Sequence, residues 1–257
     1  MYQGYNLLSD LLFLFKGDAK RIIKTNALYQ NIHQGETCYI LGTGPSLNNL
    51  TPKQISALEN EIVFGTNSLY KAKITETITP RYYALLDNLY WEQWSHTFSD
   101  VHEKYRINPP VFITDLRAKN FAACANKNHQ HIHIHSKKYP TTKISDQLHK
   151  NIYAAMNVVS YCILAASYMG FKKIYLLGCD YNAFCTSGKG HAYNDSSELS
   201  QANYNLAFYL KFYWITTEFH YLIEQLTRSK NIEVINLTDG SLLDAYKRLS
   251  TETILPK

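Results

Sequence analysis

The chain has 257 residues, 46% of them hydrophobic and 18% charged, the balance of a soluble globular protein with length for one large domain and a sizeable core. Its net charge of +5 comes without a dense Lys/Arg block, which argues against duplex nucleic acid and for an anionic small molecule or a negatively charged membrane surface. Five cysteines, Cys38, Cys124, Cys162, Cys179 and Cys185, are odd in number and show no CxxC spacing, so reduced thiols in a cytosolic protein are expected rather than a disulfide framework.

Residues 5–31 read as one or two amphipathic helices, "YNLLSDLLFLFK" and "DAKRIIKTNALYQNI". Asp10 interrupts the first apolar run, which is too short to cross a bilayer. Lys16, Lys20, Arg21 and Lys24 beside Leu and Phe fit a helix lying on a membrane surface, or one packed on the domain. The expectation is an N-terminal helical segment over 1–34 and a single domain over 35–257, in the cytoplasm and open to peripheral contact with the inner membrane.

The domain begins with "TCYILG", a short buried strand. "TPKQISALEN" reads as a helix with Thr51 as N-cap and Pro52 at the first helical position. Strands follow in "EIVFGTN", "RYYALLD", "PPVFITD" and the strictly alternating "HIHIHS". "KISDQLHKNIYAAMNVVSYCILAASYMG" contains a long helix stopped at Gly170, and "FKKIYLLGCD" is the strongest strand of the chain. A polar loop, "YNAFCTSGKGHAYND", precedes a long Tyr-rich helix from about Ser197 to Arg228, and "IEVINLTDGSLLDAYKR" supplies a last strand and a short terminal helix. Such alternation implies an α/β fold, a Rossmann-like, mostly parallel sheet with helices on both faces. Ligands of such sheets bind beyond the carboxyl ends of the strands. Gly42 to Ser46, Thr66-Asn67-Ser68, Asp87-Asn88 and Gly178 to Asn182 all fall there.

"GTGPSL" from Gly42 ends a strand in a glycine-rich turn, a usual place to hold a phosphate. Leu47 occupies the third-glycine place of GxGxxG and no acidic residue follows the second strand, which argues against a dinucleotide; no GK[ST] follows either, which excludes a P-loop. The chain contains no Asp-x-Asp, the pair with which many sugar-nucleotide transferases hold a metal. A metal-free transferase must meet the departing phosphate with amides, hydroxyls and cations. A monophosphate such as CMP makes that easier, and 21 tyrosines offer hydroxyls.

"YILGTGPSL" followed by "FGTNSLY" resembles the N-terminal half of the small bacterial sialyltransferases that decorate lipooligosaccharide, and "MGFKKIYLLGCDY" is similar to their late strand. "HAYND" and "INLTDGSLLDAYKR" look closer to the MptE-like proteins of surface-polysaccharide gene clusters. The resemblance covers roughly residues 37–90 and 150–248. It implies a GT-A-like variant of the Rossmann fold, a CMP-activated donor, and metal-independent transfer with inversion onto a surface glycan (lipooligosaccharide, O-antigen or capsule). The sugar would be sialic-acid-like, nonulosonic or ulosonic. Carried over by motif, Thr43, Gly44 and Ser46 would face the donor. Asn67 would bind the nucleotide or its phosphate, Asp87 would lie at the third strand end, and Asn157 would present its amide or the helix N-terminus to cytidine. Thr43 stands where those enzymes have Asn, while Asn182 and Tyr193 stand near the places of their phosphate-binding tyrosines. None of the histidines aligns with their catalytic one.

An inverting transfer needs a group to take the acceptor proton, and histidine suits that near neutral pH. His191, in the glycine-flanked loop after Asp180, is the candidate base, with Asp195 to orient it; His220, within a helix, is the second candidate. The loop over 181–196 is expected to close as a lid. Gly42, Ser68 and Asp180 complete the expected donor site. His131, His133 and His135 share one strand face by period-two spacing, but no Cys or Asp stands at ligand spacing, so a solvent-facing strand side is expected rather than zinc. No cofactor or metal is expected, and a homo-oligomer is left open. Two alternatives remain: a pterin diphosphokinase using ATP and magnesium at Asp87 and Asp180, and a non-catalytic nucleotide-sugar-binding subunit.

Overall fold

The computed structural model of the chain describes residues 2–121, 129–141, 143–186, 190–196 and 205–256. Its strands are β1 (Thr37–Leu41), β2 (Val63–Thr66), β3 (Tyr82–Leu85), β4 (Val111–Asp115), β5 (His131–Ile134), β6 (Ser136–Lys137), β7 (Ile152–Tyr153), β8 (Lys173–Leu177), β9 (Glu233–Asn236) and β10 (Lys247–Arg248). Eight of them form one sheet in the order β10-β9-β8-β1-β2-β3-β4-β5, every neighbouring pair parallel. Parallel strands buried on both faces need apolar side chains at successive positions, which is why β1, β2, β3 and β8 read as near-continuous apolar runs.

The helices are α1 (Tyr2–Leu14), α2 (Gly17–Lys24), α3 (Pro52–Ala57), α4 (Leu89–Glu92), α5 (His96–Lys104), α6 (Val158–Met169) and α7 (Leu206–Ser229). On one face Ile40, Phe64, Ala84, Ile113 and Leu176 pack beneath α6 and Ile223 of α7. On the other, Leu41, Tyr83, Leu85, Phe112 and Leu177 meet Leu58, Trp91, Phe98 and Val101. Strand order runs outward from β1 in both directions, so the topological switch point lies between β1 and β8, where such sheets open a crevice.

Local signals set several boundaries. Thr51 caps α3 in a reciprocal capping box with Gln54. Gly170 ends α6 in the left-handed conformation, φ 95°, which glycine adopts without steric cost.

Two expectations need correction. The segment after β9 holds no helix like that expected near 241–248; it forms β10, which pairs with β9 and completes the sheet edge. The long helix expected within 143–170 is α6, which Asn157 caps at its start; Ile152–Tyr153 before it pairs with β6 in a separate two-stranded sheet. The histidines of β5 do not face solvent. Both are half-buried: His131 lies against Phe112 and Phe98, and His133 stacks on it at 5.1 Å with rings 2° apart. The described part of the long helix begins at Leu206. Cys124, residues 187–189 of the lid segment and 197–204 of the expected helix lie outside the described residues.

Burial sets two histidine charges. Desolvation, helped by Lys119, lowers His133 to about 4, and desolvation alone lowers His220 to about 3. Both are neutral in the folded protein at pH 5, whereas the unfolded chain protonates them near 6.5. As pH falls below that value the unfolded state gains protons that the folded state does not bind, so stability declines. The melting temperature is expected to fall between pH 7 and pH 5, less steeply in His133→Gln; a flat profile would contradict the burial.

A methyl group on Gly42 would overlap the Gly178 carbonyl across the switch point. Because the obstacle is backbone, Gly42→Ala is expected to cost about 1–3 kcal/mol, read as a lower urea midpoint. An unchanged midpoint would mean that the two turns separate freely.

Candidate active site

The strand ends at the switch point are pinned together. Gly42 N–H donates to Leu177 O and Gly44 N–H to Gly178 O, both at 2.8 Å. Asp180 accepts from Ser46 N–H at 3.2 Å and from Ser46 Oγ at 2.7 Å. A side chain on Gly44 would strike the same carboxylate. The glycines of the "GTGPSL" turn are therefore required by the approach of the β1 and β8 turns. The chain beyond β9 adds a second clamp. Cys179 N–H donates to Thr238 Oγ1 at 2.9 Å, Ser241 Oγ donates to Cys179 O at 2.6 Å, and Asn236 Nδ2 holds Ser241 at 2.9 Å. The Asn-x-Thr-x-x-Ser pattern is thus the support of the β8 turn.

Above this floor a cleft opens, lined by Gly42, Thr43, Gly44, Asn67, Asn157, Asp180, Asn182 and His191 among the expected residues. Asn67 is its strained member. Its φ is +49°, its carbonyl accepts from Tyr83 Oη at 2.9 Å, and its Oδ1 is buried with no hydrogen-bond partner. A buried amide oxygen left unpaired costs about 1–3 kcal/mol, which a ligand donor entering the cleft would recover. Met156 and Tyr181, also around the cleft, have φ of +50° and +57°; such strain gathers at functional sites. Asn157 spends its Oδ1 on Val159 N–H at 2.9 Å and Ser160 N–H at 3.3 Å, capping α6.

His191 is held on two sides. Its Nδ1 lies 2.7 Å from Asp195 Oδ2, and its ring stacks on Tyr193 at 5.1 Å. Asp195 is buried, so an Nδ1–H donated to its carboxylate leaves Nε2 as the accepting nitrogen. The neighbouring Ala192 N–H donates to Thr43 O at 2.8 Å, fastening this segment over the β1 turn. His220 also lines the cleft, but it is fully buried. Its Nδ1 meets Tyr246 Oη at 2.9 Å and its Nε2 meets Ser160 Oγ at 3.3 Å. With both nitrogens engaged and its basicity lost to burial, His220 is a weak proton acceptor.

Ser46 and Ser68 stand behind the cleft, the former on Asp180 and the latter 3.1 Å from Tyr90 Oη. Asp87 is exposed and caps Leu89 N–H at 3.0 Å. Tyr193 and Asp195 support His191 from beneath. Sequence reasoning missed Tyr213, which lines the cleft edge-to-face with Tyr181 at 4.7 Å, and Tyr83 beneath it; it placed Thr66 and Tyr181 at the strand ends without giving either a role. Tyr83 sits at an ordinary core position of β3, and only its hydroxyl's reach to Asn67 marks it. Burial raises the Tyr213 phenol to about 12 and that of Tyr181 in the same direction, so both hydroxyls stay protonated donors. Burial likewise pushes the Cys179 thiol up to about 12, an inert thiol rather than a nucleophile.

Among the described lining residues there is no Lys or Arg, and no cluster of three His, Cys, Asp or Glu side chains among the described residues is arranged to hold a metal. Among the described lining residues, the donors that could meet a bound anion are neutral.

No curated protein matches the sequence significantly. Among solved structures, that of the MAf glycosyltransferase from Magnetospirillum magneticum AMB-1 is similar, with TM-score 0.56 and 16% identity. The match covers 93% of this chain and 39% of that one, so this chain spans well under half of that protein's length. The sialyltransferase CstII from Campylobacter jejuni matches in its complex with cytidine-5'-monophosphate, with TM-score 0.50 and 15% identity. Its complex with CMP-3FNeuAc gives 0.51 and 16%, and each covers 84% of this chain and 86% of that one. At these identities the likeness is one of fold. Residues 14–185 match the family described as 6-hydroxymethylpterin diphosphokinase MptE-like; two thirds of the sequence carry that match, and the chain belongs to the MptE-like family.

Proposed function

We propose that the protein is a metal-independent, inverting glycosyltransferase that moves a sialic-acid-like sugar from a CMP donor to a hydroxyl of a bacterial surface glycan. The observation that carries this reading is the His191–Asp195 pair at the cleft edge, 2.7 Å apart, with Nε2 left to accept a proton. In the reaction the acceptor oxygen bonds to the anomeric carbon as the bond from that carbon to the phosphate oxygen breaks. The acceptor proton passes to His191 Nε2, and the bonding pair leaves with CMP. Asp195 steadies the imidazolium that forms. Tyr213, Asn182 and Thr43 line the cleft as neutral donors for the departing phosphate. Similarity to CstII bound to CMP and to CMP-3FNeuAc supports the donor class.

Pyrophosphoryl transfer from ATP, suggested by the family's description, would require carboxylates to hold magnesium. Asp180 spends both oxygens on Ser46, and Asp87 caps a turn and does not line the cleft. That arrangement favours the glycosyl reading.

His191→Ala is expected to leave the protein folded, with a melting temperature lowered by the loss of Asp195's partner, and to lower transfer by roughly a hundredfold or more. Transfer near the wild-type rate would remove His191 from the mechanism. In a thermal-shift panel of CMP, CDP, UDP, ATP and NAD with EDTA present, CMP alone is expected to stabilise the protein. A shift with ATP that appears only with magnesium would favour the diphosphokinase.

A further inference from the structure

An amphipathic surface helix normally turns its apolar stripe to the core. α1 does the reverse. Asn6, Ser9, Asp10 and Phe13 face the protein, while Leu7, Leu8, Leu11, Leu12 and Leu14 point outward, each between 49% and 62% exposed, followed by Phe15 at 87%. At 3.6 residues per turn these outward positions fill one continuous half of the helix circumference.

Polar contacts fix that rotation. Asp10 Oδ1 lies 3.1 Å from Lys137 Nζ, whose side chain is only 4% exposed, and accepts from Asn151 Nδ2 at 3.0 Å. A buried ammonium demands a counter-charge, so α1 must present Asp10 inward. Phe13 completes the inner side, packed with Ile23 and Leu116. The leucine face is left outside by construction.

Beside it lies a groove of about 350 Å³, lined by Leu14, Lys20, Lys24, His149 and Lys150. Its own carboxylate, Asp10, is the one engaged by Lys137, and nearby Asp18 pairs with Arg21 at 3.2 Å. The groove is therefore cationic, and Leu14 belongs both to it and to the apolar face.

We propose that α1 and α2 dock the protein on an anionic phospholipid bilayer, with the leucine face at the acyl boundary and a lipid phosphate seated among Lys20, Lys24 and Lys150. Charge selects this occupant over a second copy of the chain, because pairing two such faces would bring like-charged lysine rims together.

Co-sedimentation with phosphatidylcholine vesicles, with and without phosphatidylglycerol, tests it. Binding is expected to the phosphatidylglycerol vesicles and to be weak on phosphatidylcholine alone. Leu8→Glu with Leu12→Glu should weaken it by roughly tenfold or more, and Lys24→Gln and Lys150→Gln by roughly fivefold each. All these positions lie outside the cleft, so the melting temperature and the shift with CMP should not change, which separates failure here from failure of the proposed function. Equal binding to both vesicle types, retention by the leucine variant, or a dimer that the leucine variant dissolves would overturn the proposal.

Discussion

The ends of β1 and β8 approach more closely than side-chain-bearing turns allow, and the site depends on that approach. Gly42 and Gly44 admit the Gly178 carbonyl and the Asp180 carboxylate, and Gly178 itself takes φ +66°. The gap is closed by hydrogen bonds to a charged group, stronger than those between neutral partners, as Ser46 donates twice to Asp180. The clamp on Cys179 from Thr238 and Ser241 holds the other side of the turn. Separate these turns and Thr43, Asn67 and Asn182 no longer face a common space. The glycine pattern that reads as a phosphate cradle is first of all a packing requirement between two loops.

Much of the fold was legible because its determinants are local. Continuous apolar runs mark strands covered on both faces, Thr51 with Gln54 and Asn157 mark helix starts, and Gly170 marks a stop. What was not legible depends on partners distant in sequence. β10 exists because β9 offers an edge to Lys247 and Arg248, a fact no window of residues contains. The alternation of His131, His133 and His135 identified a strand but misassigned its outer face, since α5 and Phe112 cover that side. At the candidate site, polar residues at strand ends marked where a cleft opens but not what each side chain contacts. Asp180 and Ser46 bind each other, and Asp87 caps a turn. His191 and Asp195, four residues apart in one loop, were legible as a pair because a loop of that length brings them together unaided.

Three non-glycine residues in left-handed conformation surround the cleft, and each has a visible restraint. Tyr83 holds the Asn67 carbonyl. Asn157 anchors the chain directly after Met156 by capping α6. The hydroxyl of Tyr181 is bonded to Thr216 while its ring meets Tyr213 and His220. Strain of order 1–3 kcal/mol at each position persists only where the surroundings over-determine it. At Asn67 and Tyr181 they do so through tyrosine hydroxyls, which explains part of the tyrosine surplus: the rings fill the core and the phenolic oxygens brace the loops.

The same economy bears on the proposed ligand. A cleft whose described lining lacks Lys and Arg, and whose one carboxylate is already bonded, offers donors of partial charge only. Two adjacent phosphates would bring several negative charges into that space and require a cation from elsewhere, whereas one phosphate ester can be met by a few phenols and amides. α1 lies at the same edge of the sheet, touching His135 just beyond β5 through Phe13. Four interstrand steps separate β5 from β1, roughly 20 Å at ordinary spacing. The proposed bilayer contact and the proposed base therefore stand at the two ends of that half of the sheet, the one beside β5 and the other over the β1 turn.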